Sequence, residues 1–129
     1  MQAVTKLMDL PISGSGCLWA KFLYSDTDVC LEFRYTDKDT GIPSVGRLLF
    51  PHVMSFRFRD EMRSLGFYSE SYESVAELFD SEWVADMERI EPAKIHKLWK
   101  RRHFAVFLTS CGFFELIADD CEFSTSKSE

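Results

Sequence analysis

Residues 101–123, RRHFAVFLTSCGFFELIADDCEF, carry His103, Glu115 and Asp119 in a segment that reads as two β-strands around a turn. A histidine beside a carboxylate can act as an oriented general base, and a serine or cysteine within hydrogen-bond reach would complete a nucleophilic site. The turn decides which of these groups meet. A three-residue loop Ser110-Cys111-Gly112 needs a left-handed residue at its third position, which glycine supplies without steric cost. That loop sets Thr109 opposite Phe113, Leu108 opposite Phe114, Val106 opposite Leu116 and Phe104 opposite Ala118, giving one wholly apolar face for the core. The other face carries Phe107 opposite Glu115, Ala105 opposite Ile117 and His103 opposite Asp119. A two-residue loop would set Val106 against Glu115 and mix the faces. Because Cys111 then lies at the far end of the hairpin from His103, the pattern predicts a His103–Asp119 pair at a sheet end, with no catalytic residues and no enzymatic activity.

Other chemistry-bearing residues are few. Arg57 and Arg59 alternate with Met54, Phe56 and Phe58, so both stand on the face opposite the apolar one and, with Arg34, could form an anion or ligand site. The competing expectation is that they pair with Glu32 and Glu61 across a solvated sheet face. Cys17, Cys30, Cys111 and Cys121 form no C-x-x-C pair. A zinc site would have to join Cys111 and Cys121 to His103 or His52 without the short paired spacing of structural sites, so no metal or other cofactor is expected. Signatures of phosphate loops, dinucleotide folds, zinc proteases and serine hydrolases are absent.

The elements that must position these groups follow from periodicity. Residues 17–25 and 29–36 read as an antiparallel hairpin closed by the polar turn SDTD, and the loop DKDTGIPSVG follows as a candidate mobile segment. Residues 47–50 and 53–59 are strand-like on either side of Pro51, where a bend is expected because proline removes a ladder donor. Val75, Glu77 and Phe79 alternate like a short strand. Ser81 or Asp80 can cap a helix that sets Trp83, Met87 and Ile90 on one face, and Pro92 ends that helix and opens a second one through Ile95, Leu98 and Trp99. The expected fold is α+β and mainly antiparallel β, a sandwich or strongly curved sheet with one or two short helices inserted before the C-terminal hairpin. The 129 residues suit a single domain with aromatic residues, 12 Phe, 3 Trp and 4 Tyr, dominating its core. Residues 1–16 and 125–129 are expected to be flexible.

Fifteen basic against 21 acidic residues give a formal charge of −6. That balance repels nucleic-acid phosphates and anionic membranes and fits a basic protein partner. Neither a signal-peptide core nor an apolar stretch of about 20 residues is present, so the expected location is cytoplasmic. Charge also segregates. From Ser69 to Glu91 the acids include Glu70, Glu73, Glu77, Asp80, Glu82 and Asp86 with Arg89 as the single base, whereas Lys94 to Arg102 holds five bases and no acid. The two blocks could neutralise each other, or the acidic one could face a partner with Tyr68, Tyr72 and Phe79 as aromatic anchors.

The segments ELFDSEWVADM and RRHFAVFLTSCGFFELIADDCEF resemble small bacterial proteins in which an S-x-W-[IV] helix start precedes an H-[FY] strand and an F-E-x-[IV]-A strand. LLFPHVMSFRFRDE is similar to their upstream strand, and together residues 47–61 and 77–123 carry the likeness. These proteins include immunity proteins of polymorphic toxin systems. The resemblance implies a non-enzymatic, cytoplasmic protein that binds and neutralises a cognate toxin, and it transfers no catalytic residue. The partner-binding residues expected from the acidic block are Glu70, Tyr72, Glu73, Glu77, Asp80, Glu82 and Asp86. The alternative is a ligand-binding or enzymatic module built on Arg34, Arg57 and Arg59, and a homodimer through an exposed sheet edge is a third arrangement.

Overall fold

The computed structural model describes residues 3–60, 69–90 and 100–127. Among these residues nine strands form two antiparallel sheets. In chain order they are β1 (Ala3–Asp9), β2 (Ile12–Ser25), β3 (Asp28–Asp37), β4 (Pro43–Phe50), β5 (Ser55–Arg59), β6 (Ser74–Phe79), β7 (Arg102–Leu108), β8 (Gly112–Ala118) and β9 (Glu122–Lys127). Among the described residues one helix, α1 (Glu82–Ile90), lies between β6 and β7, and a 3-10 turn spans Ser69–Ser71. The five-stranded sheet has the order β1-β6-β7-β8-β5 and the four-stranded sheet the order β2-β3-β4-β9. The mainly antiparallel β expectation therefore holds, with one helix among the described residues; the second expected helix lies outside them. No helix among the described residues is long and apolar enough to cross a membrane.

Alternation in the sequence becomes alternation in space. Val29, Leu31, Phe33 and Tyr35 of β3 are buried while Cys30, Glu32, Arg34 and Thr36 between them are less so. They join Leu48 and Phe50 of β4 and, from the other sheet, Val75, Phe104, Val106, Leu108, Phe114 and Leu116 in one apolar cluster. The even-numbered residues of β7 and β8 thus face this core, as the hairpin pattern predicts. The turn SDTD closes β2 onto β3 with Ser25 opposite Asp28 and Asp26 left-handed. At Pro51 the chain leaves the four-stranded sheet for the five-stranded one, through a left-handed His52 whose N–H donates to Asp28 at 3.1 Å. A bend at this proline is the physical consequence of its missing donor.

Several expectations need correction. Residues 3–9 and 12–16 are strand rather than a flexible start, and residues 125–127, expected as part of a flexible end, pair with β4. Polar strands such as EFSTSK escape a reading based on apolar alternation because they are edge strands with little to bury. The loop after β3 is shorter than expected: Asp37 accepts the N–H groups of Asp39 and Thr40 at 2.9 and 3.0 Å, and β4 begins at Pro43. Helix α1 buries none of its residues, and Ile90, expected on its packed face, is 76% exposed.

The hairpin register differs as well. Leu108 pairs with Gly112, Phe107 with Phe113, Ala105 with Glu115 and His103 with Ile117. The loop has three residues, but they are Thr109-Ser110-Cys111, and Ser110 is the left-handed one. Relative to the expectation β8 slides by two residues. A two-residue slide returns every side chain to the same face, so the sorting of faces survives while the pairing across the strands changes.

Candidate functional site

The outer face of the five-stranded sheet holds a polar cluster built on Glu115. Arg57 of β5 lies directly opposite Glu115 of β8, and its Nε and Nη2 donate to the two carboxylate oxygens at 2.8 and 3.1 Å. Arg59 adds a longer contact of 3.8 Å. From the other side His103 Nε2 lies 2.8 Å from Glu115 Oε1, a diagonal contact made possible by the two-residue slide. His103 Nδ1 meets Ser81 Oγ at 2.8 Å, and Ser81 Oγ also accepts the N–H of Val84 at 3.2 Å as the cap of α1. In the neutral tautomer with its hydrogen on Nε2, the imidazole donates to the carboxylate and accepts from the Ser81 hydroxyl.

Two aromatic contacts cover this chain of hydrogen bonds. Trp83 meets the His103 ring edge-on at 5.1 Å, and the Arg57 guanidinium lies over the Trp83 ring at 4.1 Å. Ser81, His103 and Glu115 are all buried. Burial alone would push the Glu115 carboxyl upward, but the hydrogen bonds from His103 and Arg57 outweigh it and hold the group at about 2, against an ordinary 4.5.

Serine, histidine and carboxylate in a row is the order of a nucleophilic triad. Here, however, the serine oxygen already serves the helix as its cap, and arginine, imidazole and tryptophan close over the carboxylate. The arrangement ties the N-terminus of α1 to three strands. Replacing Ser81 with alanine removes a cap and leaves Nδ1 without its buried partner, so unfolding in urea should show a loss of about 1–2 kcal/mol.

The structure redistributes the residues read from sequence. His103 and Glu115 are joined, whereas Asp119 accepts the backbone N–H of Lys100 at 3.0 Å and takes no part. Arg57 and Arg59 turn to Glu115, Arg34 stands in the other sheet, and Glu32 pairs with Arg47 at 3.0 Å, so the three arginines do not form one site. Glu61 lies outside the described residues. Among the acids, Glu77 is buried and held by Nη2 and Nε of Arg102 at 2.8 and 3.0 Å. Glu70, Tyr72 and Glu73 precede β6 while Asp80, Glu82 and Asp86 follow it, a separation of about 20 Å along the strand. The seven candidates are thus two groups and one structural ion pair. Tyr72 stacks on Phe107 at 5.8 Å and Phe79 is exposed; Tyr68 lies outside the described residues.

Sequence reasoning named Ser81 as a cap and Trp83 as an apolar helix residue, but did not join either to His103. The available signal was a capping serine two residues before a tryptophan, ahead of a strand that opens with histidine. No group of three or more His, Cys, Asp or Glu side chains among the described residues could hold a metal ion. Comparison with family models, curated proteins and solved structures finds no significant match to this chain.

Proposed function

We propose that this chain is a non-enzymatic, cytoplasmic binding protein of the immunity type, which neutralises a toxin by covering a basic surface on it. Support comes from helix α1. Nine residues form too short a helix to persist alone in water, and this one buries none of them, yet its first turn is locked by Ser81, Trp83, His103, Glu115 and Arg57. A helix held so firmly and packed so little is suited to presentation. Its exposed side offers Glu82, Asp86 and Glu88 beside Asp80 and the exposed Phe79, with Arg89 paired to Asp86. Acids around an aromatic anchor would give fast, oriented association with a basic partner.

The test uses the protein encoded by the adjacent gene. Co-expression should protect cells from that protein, and the purified pair should form a complex. Joint replacement Glu82→Lys, Asp86→Lys and Glu88→Lys should slow association at low salt by about tenfold or more, with the variant's own melting curve showing that the fold is intact. Unchanged association by this variant, or an adjacent protein that neither harms cells nor binds, would sink the proposal.

A further inference from the structure

We infer that Cys17 and Cys111 form an oxidisable pair, a modification site whose disulfide fastens β2 to the β7–β8 turn and so ties the two sheets together. Both are thiols in the structure. The backbone already holds them side by side: the Cys17 N–H donates to Thr109 O at 3.0 Å, and Cys111 Sγ lies 3.9 Å from Cys17 O. Gly16 presses against the same turn so closely that a Cβ there would sit 2.9 Å from Thr109 O. An irregularity in the β2–β3 pairing at Leu18 brings Cys17 to the core side along with Ala20 and Phe22. Cys111 is half-buried and borders an apolar groove of about 550 Å³ between β2 and β5, lined by Leu18, Phe22, Phe56 and Phe58. A small oxidant can reach Cys111 through that groove, whereas Cys17 is only 4% exposed.

The order of events follows from this asymmetry. The neighbouring Cys111 side chain and burial push the Cys17 thiol well above its ordinary range. Cys111, which borders the groove while Cys17 is buried, is the group an oxidant meets first. With a peroxide as oxidant, the Cys111 thiolate forms an S–O bond as the O–O bond breaks, and the departing oxygen takes the thiol proton and leaves as water or an alcohol. Cys17 sulfur then attacks the sulfenyl sulfur, the S–O bond breaks, and the hydroxide leaves as water with the Cys17 proton. Two thiols are oxidised and one peroxide is reduced. Joining residues 94 positions apart removes much of the unfolded chain's freedom, so the oxidised form should be the more stable one.

The test treats the reduced full-length chain with hydrogen peroxide, blocks remaining thiols and maps the peptides by mass spectrometry. A chain two hydrogens lighter with a Cys17–Cys111 link is expected, reversed by dithiothreitol, and melting about 10 °C above the reduced form. Cys111→Ser should abolish the link, whereas Cys30→Ser and Cys121→Ser should retain it. The Cys121 thiol is pushed up to about 12 by burial and the neighbouring Asp120, so it competes poorly. A link that involves Cys30 or Cys121, a Cys111 sulfinic acid with Cys17 still alkylatable, or a lower melting temperature on oxidation would each overturn the inference. Cys111→Ser changes a half-exposed turn residue, and its own melting curve shows whether the fold is intact.

Discussion

Glu115→Ala should lower the unfolding free energy by about 3–5 kcal/mol, measured by urea titration at neutral pH. The carboxylate is buried and accepts from Arg57 and His103, so its removal strands an imidazole nitrogen inside the protein and leaves a guanidinium without its counter-charge. Because His103 reaches Ser81, the loss should spread to α1 and show as reduced helix signal before the sheet melts. Glu115→Gln keeps the volume and separates charge from packing. The folded carboxyl titrates near 2 against an ordinary 4.5, so its contribution is fully present above about pH 4.5 and is lost as pH falls toward 2. In the wild type this amounts to about 3 kcal/mol across that window. Glu115→Gln should lack this acid-sensitive part and show a correspondingly flatter stability profile. An unchanged profile would mean that the carboxylate is not held in its charged form by these partners.

Gly112→Ala should cost about 3 kcal/mol, for a reason different from the one its place in a turn suggests. The left-handed residue of the loop is Ser110, whereas Gly112 already begins β8 at a φ of 125°. A Cβ there would lie 2.6 Å from the Arg59 carbonyl and 2.5 Å from a ring carbon of Phe58, so β5 would have to move away from β8. The Phe58 ring is half exposed and can turn aside, but the Arg59 backbone cannot without breaking its strand pairing. Gly41, left-handed at φ 71° with nothing within 4 Å of its absent Cβ, shows the cost of a left-handed backbone alone, whereas φ 125° at Gly112 adds strain of its own to the approach of β5. Gly41→Ala should therefore cost only about 1 kcal/mol in the same titration. Equal losses at the two positions would show that neither the approach of β5 nor the φ of 125° adds a cost at 112.

These cases show where local reading succeeds. Alternation in VCLEFRYT, the break at Pro51, the cap at Ser81 and the even-numbered apolar face of the last hairpin are all properties of a few consecutive residues, and each appears in the structure. Steric limits on φ, missing donors and the two-residue period of a strand act over that short range, so the sequence displays them directly. The paired ends were missed because β1 and β9 bury little, and an edge strand can be polar without losing stability.

The cluster around Glu115 was not legible in the same way, although every member could be read from the chain. Arg57 appeared as an exposed arginine, His103 as a partner for Asp119, Ser81 as a cap and Trp83 as part of an apolar stripe. What joins them is that β5 lies beside β8, that β8 sits two residues along from the register its glycine suggested, and that α1 returns over the same face. A slide of two residues keeps each side chain on its face, so hydrophobic burial is almost indifferent to it and local pattern holds no preference. Local pattern and composition set which residues face inward, where the helix begins and how acidic the chain is. Which polar side chains meet is settled in three dimensions, by strand neighbours far apart in the chain and by the hydrogen bonds that buried charges must find.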